Sequence, residues 1–311
     1  MPELPEVEVV RAGLAPAISG ATISGVNVLD ERALTRHAGS GSDFERAITQ
    51  RRVSAAVRRG KFLWFPLETV PHMPEEAIIG HLGMSGQILL RASGSSRERH
   101  ERVRLDLEHP EHGELAMIFC DQRTFGSLAV DALVPTPDSA AGGYGWSAAS
   151  IPRQVLHIAR DPLDPAFSEL HFRDSLSRKR SAIKRVLLDQ SVVSGIGNIY
   201  ADESLWAAAI HPEQPAATLS ERAVSMLLVE VRAVLEKALA EGGTSFDAQY
   251  VNVNGQAGYF AHSLNVYGRT GEPCGRCSTP IVRVSFTNRS SHYCPKCQQD
   301  PSSRRPHTQS P

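Results

Sequence analysis

The residues of this sequence whose types and spacing could do chemistry are a proline at position 2 and four cysteines near the C-terminus. The chain starts Met1-Pro2-Glu3-Leu4-Pro5-Glu6. Residue 2 is small enough for the initiator methionine to be removed, which exposes a secondary amine. An α-amino group titrates near about 8, so an appreciable fraction is unprotonated at neutral pH. Attack by such an amine on an electrophilic carbon gives an iminium, a covalent electron sink. Glu3 lies beside it and can trade protons with it or with a departing group. The same residues also read as a plain lead-in to a helix. The cysteines fall at Cys274-x2-Cys277-x16-Cys294-x2-Cys297, the spacing of paired zinc knuckles. Two such pairs close a tetrahedral shell with no position left for water, so the expected ion is one structural Zn2+.

Four further segments carry possible binding chemistry. Gly195-Ile196-Gly197-Asn198 separates two stretches of helical periodicity, and Asn198 is placed to cap the second. Exposed N–H groups at such a helix start favour an anion, and with Lys179 and Lys184 upstream that anion would be phosphate. Gly83-Met84-Ser85-Gly86 puts a long apolar side chain in a glycine-rich turn, and Arg123 and Phe125 stand two residues apart in Asp121–Gly126. Apolar wedges beside arginine are suited to unstacking bases; Met84 and Phe125 also read as ordinary core. Residues 242–260 are rich in Gly, Asn, Gln and aromatics, too long for an idle connection and suited to a loop closing on a ligand.

The elements that must position these groups follow from periodicity. Leu4, Val7, Val10 and Leu14 repeat at helical spacing. Ile23/Val26/Val28, Val53/Ala55/Val57 and Val103/Leu105/Leu107 alternate or nearly so, and short apolar runs cover 61–67, 77–82 and 87–91. So many short strands predict a β-sandwich or barrel. Cys120 lies in one alternating run and reads as a half-buried thiol. Residues 136–152 change to Pro, Gly, Ser and Ala and read as a linker. Beyond them the period becomes helical, with a Thr218-x-x-Glu221 capping box before Val224, Leu227, Leu228, Val231 and Leu235, and the knuckles flank a hairpin near 280–291. The expected plan is α+β and multidomain. It has an N-terminal β-sandwich domain flanked by helices (1–135), a linker (136–152), a helical domain (153–262), a zinc-finger hairpin (263–298) and a disordered tail (299–311).

Across 311 residues, 33 basic and 34 acidic side chains give a formal charge of −1. The chain is therefore not coated in positive charge. The bases are clustered instead: 51–61, 173–185 and 262–311 each carry +5, leaving −16 for the rest. Three basic segments in an acidic body suggest a localised polyanion track. No run approaches the ~18 apolar residues of a membrane helix. The acidic start excludes a signal peptide, and reduced, zinc-bound thiols fit the cytoplasm.

Together these motifs closely resemble the bacterial formamidopyrimidine-DNA glycosylase family, of the helix–two-turns–helix superfamily. PELPEVE at 2–8, RRGKFLW at 58–64, HLGMSG at 81–86, DQRTFG at 121–126, GIGNIYADES at 195–204, GGTSF, VNVNG and GYF between 242 and 260, and YGRTGEPC into the zinc hairpin carry the resemblance, which runs from Pro2 to about Gln298. It implies a bifunctional base-excision-repair glycosylase and abasic-site lyase. Such an enzyme flips 8-oxoguanine and formamidopyrimidines out of double-stranded DNA and cuts the strand by β- and δ-elimination. It also implies roles for residues: Pro2 as nucleophile, Glu3 as acid/base, Lys61 in β-elimination, Arg289 in δ-elimination and phosphate grip. His81, His100, Arg123, Lys179, Asn198 and Tyr267 would contact DNA, and Met84, Arg123 and Phe125 would fill the vacated stack. The enzyme is expected to be a cytoplasmic, nucleoid-associated monomer acting on oxidised bases or abasic sites. Members often carry Glu after the wedge Met, where this chain has Ser85, and the stretches 92–99 and 139–147 look longer than usual and have no assigned role. Two other readings remain: the sister oxidised-pyrimidine glycosylase, and a non-catalytic lesion-binding protein.

Overall fold

The alternating runs Ile23/Val26/Val28 and Val103/Leu105/Leu107 become strands, whereas of Val53/Ala55/Val57 only Val57 lies in one. The short apolar runs also form strands, the first of them buried on both faces. In the computed structural model, which describes residues 2–69, 74–244, 253 and 260–300, the chain divides into two compact units. The first comprises Met1–Arg160 with Ala238–Ala261, and the second Asp161–Lys237 with His262–Pro311.

The first unit runs α1 (Leu4–Ile18), β1 (Thr22–Val28), α2 (Gly41–Ile48), β2 (Val57–Arg59), β3 (Phe62–Pro66), β4 (Glu76–His81), β5 (Gly86–Ala92), β6 (Glu101–His109), β7 (Gly113–Asp121), β8 (Ser127–Pro135) and β9 (Ser150–Pro152). Two antiparallel sheets form, with strand orders β1-β6-β7-β5 and β2-β3-β4-β8-β9. Val103 pairs with Phe119 and Leu105 with Met117. These residues share one core with Leu63, Phe65, Ile78 and Leu128 of the other sheet and with Val7, Val10, Leu14 and Ile18 of α1. A one-residue slip would turn that whole row to solvent, so the burial fixes the register. Helix α2 is not legible in the sequence because only Phe44 and Ile48 mark its apolar face. Its start is set by Ser40 and Asp43, whose side chains each bond the other's backbone N–H at 3.3 and 2.9 Å.

Residues 136–152 are not a spacer. Thr136 and Gly142 donate their N–H groups to the carbonyls of Ala149 and Ala148, and Tyr144 bridges β2. The segment therefore leaves β8, reaches the β2 edge of the five-stranded sheet at Tyr144 and returns to β9 at the other edge, forming a strap. Its small residues, which read as flexible, are what let backbone approach backbone. Of the expected closing loop, 245–252 and 254–259 lie outside the described residues, as does the tail from 301. Val253 is buried in the core against Gly13.

The second unit contains α3 (Glu169–Arg178), α4 (Ile183–Leu187), α5 (Asn198–Ala207), most of α6 (Glu221–Ala240), and the antiparallel hairpin of β10 (Val282–Phe286) and β11 (Arg289–Tyr293). Its helices bury Phe172, Leu176, Val186, Leu187, Tyr200, Leu205, Leu227, Val231 and Leu235. The cap of α6 is Ser220, whose Oγ accepts the Ala223 N–H at 3.2 Å. Thr218 instead donates its hydroxyl to the Pro215 carbonyl, so the capping box expected there does not form. Among the described residues no helix is long and apolar enough to cross a membrane.

Candidate functional site

Helix α1 begins immediately after Pro2 and Glu3, and both are buried. Pro5 sits in the first turn, where a missing N–H breaks no helical bond. Glu6 secures this end. Its Oε2 accepts the Glu3 N–H at 2.8 Å, while Oε1 accepts the N–H and hydroxyl of Thr244 at 2.7 and 2.9 Å. Sequence reasoning missed Glu6, whose partner lies 238 positions away.

Lys61 follows β2 in the turn to β3 and is buried. His81, at the end of β4, packs its ring against Phe62 at 4.7 Å. Its Nδ1 accepts the Gly83 N–H at 3.1 Å, which leaves the proton on Nε2. Burial, with the positive charges of Arg36 and Lys61 nearby, lowers its pKa to about 4. His81 is thus a neutral imidazole offering an N–H donor, a form suited to a phosphate oxygen without adding charge.

The wedge residues are surface groups rather than core. Met84 is 42% exposed and Phe125 62%, and Arg123 is exposed. Their two loops are tied by buried Asp121. Oδ1 accepts the Ser85 hydroxyl at 2.5 Å and the Arg123 N–H at 3.1 Å; Oδ2 accepts the Gly126 N–H at 2.7 Å. The Ser85 departure therefore has a structural account, since the hydroxyl links the loop of Met84 to that of Arg123 and Phe125. His100 adopts φ +62 and accepts the Asp121 N–H on its carbonyl, which places it beside the same loop.

In the second unit, Gly197 rather than Asn198 is the cap of α5. Asn198 is the first helical residue, and its Nδ2 donates to the Ser290 carbonyl of the hairpin at 3.1 Å. Lys184 is not a phosphate ligand. It is fully buried, paired with Asp202 at 2.6 Å, and donates to Ser291 Oγ and the Ser290 carbonyl at 2.8 Å. Asp202 also accepts the His292 N–H at 2.8 Å, so the pair anchors β11 and the exposed Arg289 at its start. Lys179 is partly exposed and pairs with Asp189 at 2.8 Å. Glu203 accepts the N–H groups of Asn265, Val266 and Tyr267 at 2.8–2.9 Å. It thereby sets the segment that presents Tyr267. Asp202 and Glu203 were missed as functional residues, although both stand in the motif after Asn198.

Removing one partner of a buried pair leaves the other charge uncompensated, at a cost of about 3–5 kcal/mol. Asp202→Asn is expected to lower stability by about that much in urea denaturation. The double change Lys184→Met with Asp202→Leu should recover most of the loss. An Asn variant as stable as wild type would show that the pair carries no such burden.

The four cysteine sulfurs lie within 4.8 Å of one another, and three of the six Sγ–Sγ distances are 3.4, 3.5 and 4.0 Å. A tetrahedron with Zn–S bonds of about 2.3 Å needs about 3.8 Å between sulfurs, so the set fits zinc. Hydrogen bonds from the Thr279 side chain and backbone lower the Cys277 thiol to about 6. Burial and the neighbouring thiols push Cys297 up to about 12. The four cannot all ionise without a cation among them. Trp206 packs over this centre with Cys274, Val266, Ile281 and Cys294 and donates its indole N–H to Cys274 at 3.4 Å. The zinc is structural.

Comparison with known proteins agrees along the chain. Residues 1–128 match the Formamidopyrimidine-DNA glycosylase N-terminal domain, 158–249 the Formamidopyrimidine-DNA glycosylase H2TH domain, and 271–299 the zinc finger found in FPG and IleRS. A formamidopyrimidine-DNA glycosylase of Leifsonia xyli is 62% identical over 299 residues, covering 96% of this chain and 100% of that protein. The Lactococcus lactis Fpg in complex with abasic-site DNA superposes with a TM-score of 0.78 at 30% identity, covering 96% and 100%. The same enzyme with DNA containing N7-benzyl-Fapy-dG gives 0.79 at 31%, with the same coverage.

Proposed function

Since the chain belongs to the bacterial formamidopyrimidine-DNA glycosylase family, and so is a zinc-containing DNA repair glycosylase whose partner is DNA, we propose that it excises oxidised purines through an imine on Pro2 and then cuts the strand. The observation that carries this reading is the buried start of α1, where Glu6 holds Glu3 beside Pro2. With Met1 removed, the Pro2 nitrogen attacks C1′ of the flipped nucleotide. The glycosidic bond breaks and the base leaves, taking up a proton. Glu3 protonates the ring oxygen as the sugar opens, giving an iminium. That cation acidifies C2′; loss of the C2′ proton expels the 3′ phosphate, and a further elimination expels the 5′ phosphate. Water then releases Pro2. Lys61 serves the β-elimination, and Arg289 serves the δ-elimination and grips phosphate.

Met84, Arg123 and Phe125 fill the gap left by the flipped base. Extrusion costs a few kcal/mol, which the wedge and phosphate contacts offset. His81, His100, Lys179, Asn198 and Tyr267 contact the backbone. The enzyme acts as a monomer in the cytoplasm, at the nucleoid.

Borohydride trapping on an 8-oxoguanine duplex tests this reading. Wild-type protein should cross-link. Trapping on thymine glycol alone would assign the chain to the sister oxidised-pyrimidine branch. No cross-link from protein lacking Met1 would make it a lesion-binding protein without catalysis.

Phosphate contacts release counterions, each adding about −0.9 to the slope of log K against log salt. With Lys61, Arg123, Lys179 and Arg289 as cationic contacts, the expected slope is about −3.6. Lys179→Ala should flatten it by about 1. A flat salt dependence of wild type would refute the localised polyanion track.

A further inference from the structure

The strap 139–147, to which the sequence reading gives no role, is built against the backbone that leads to Lys61. The Tyr144 N–H donates to the Arg58 carbonyl at 2.8 Å, and the Tyr144 carbonyl accepts the Arg58 N–H at 3.0 Å. This approach needs glycine on both sides of Tyr144. A Cβ on Gly143 would fall 2.4 Å from the Arg58 carbonyl oxygen and 2.5 Å from the Trp64 ring. Gly145 has φ +100, and its Cβ would lie 2.4 Å from the Ala56 carbonyl oxygen. Backbone oxygens cannot rotate away, so a larger residue at either position would lift the strap off β2.

The side chains continue the connection. The Tyr144 ring stands under the Arg11 guanidinium, 5.3 Å from its centre. Arg11 donates to the Glu8 carboxylate at 2.7–3.0 Å, and Arg58 donates to the same carboxylate at 2.8 Å. A second Arg58 nitrogen donates to the Gly60 carbonyl at 3.2 Å. One buried carboxylate between two guanidinium groups thus joins α1, which begins at Pro2 and Glu3, to the turn that presents Lys61. A buried ionic group of this kind is weak as a source of stability. What it supplies here is placement.

We propose that Glu8, Arg11 and Arg58, together with the Gly143–Gly145 strap, form a positioning clamp that sets the Lys61 turn relative to the Pro2 amine. None of these groups acts on the reacting atoms; they are positioning residues. The inference rests on the roles given above to Pro2 and Lys61. The Tyr144 ring bears on Arg11 of α1, while its main-chain bonds to Arg58 survive truncation, so its loss should disturb the Pro2-dependent step more than the Lys61-dependent one. Glu8 joins both sides, so its loss should disturb both.

Single-turnover kinetics with the full-length enzyme tests the clamp. Tyr144→Ala is expected to slow imine formation at a preformed abasic site, read by borohydride trapping, about tenfold, since a small misplacement of a reacting group is costly. β-Elimination from the preformed imine and affinity for tetrahydrofuran-containing duplex should stay near wild type. Tyr144→Phe keeps the ring and should restore the rate of imine formation. Glu8→Gln should slow both steps by up to about 10²-fold. Wild-type imine formation in Tyr144→Ala would overturn the proposal, as would an equal fall of both steps in step with a lowered melting temperature. Tyr144 is 49% exposed, so its substitution decides the matter even if Glu8→Gln fails to fold. A wild-type enzyme that forms no cross-link would instead sink the underlying reading of Pro2.

Discussion

Pro2→Gly is expected to reduce borohydride trapping on an 8-oxoguanine duplex by about 10³-fold or more while leaving affinity for abasic-analogue DNA within a few-fold of wild type. The size follows from how the amine is held. A correctly placed nucleophile reacts at effective molarities of about 10⁵ M and above, and that advantage depends on its geometry. Pro2 is buried, its ring limits backbone rotation, and the next residue is tied through its N–H to Glu6. Glycine keeps an amine but loses the ring and its packing, so the nitrogen samples many orientations. The imine from a secondary amine is also permanently cationic, whereas that from glycine must gain a proton before it can draw electrons. DNA affinity depends on other groups and should persist. Undiminished trapping by the variant, with the peptide linked through another amine, would remove Pro2 from the mechanism.

Removal of zinc should abolish DNA binding and leave the first unit folded. Structural zinc in small knuckles contributes about 10–16 kcal/mol of apparent binding free energy, comparable to or greater than the whole stability of a typical domain. The hairpin around the four cysteines has a small apolar cluster of Trp206, Val266, Cys274, Ile281 and Cys294, and two of those five are the ligands themselves. Without the ion, the hairpin keeps the ties of Lys184, Asn198 and Asp202 to β11, too little to hold Arg289 in a fixed position. Chelation followed by re-addition of Zn2+ should switch tetrahydrofuran-duplex binding off and on. Hydrogen exchange in β6 and β7 should stay unchanged throughout. A chelated protein that bound DNA normally would mean that the hairpin is dispensable to the interface.

The parts of the site that were legible in the sequence are those encoded locally. Two Cys-x2-Cys pairs announce their ligand by spacing alone, and short apolar runs announce the strand that carries His81 and the one that follows the Met84 turn. The less legible parts are carboxylates whose partners are remote. Glu6 reaches 238 positions to Thr244, Glu203 about 63 to Val266, and Asp121 36 to Ser85. In each, a buried acid holds a remote segment, Glu6 and Glu203 through backbone N–H groups and Asp121 through the Ser85 hydroxyl, and no short pattern distinguishes it from a solvated surface acid. Lys184 shows the reverse failure. Among neighbouring bases on an amphipathic helix it reads as a phosphate ligand, yet its counter-ion Asp202 draws it fully out of solvent. The linker was misread for a similar reason: small residues signal freedom in a sequence, but in a fold they permit close contact.

The strap along β2 has a consequence for the behaviour of the protein in concentrated solution. β2 is the terminal strand of its sheet, and a bare terminal strand is a template onto which a second molecule can add its own. At Arg58 the template is already filled by Tyr144, with both backbone groups engaged. The segment 139–147 thus also acts as a guard against intermolecular strand addition, and a chain shortened there would be expected to self-associate as its concentration rises.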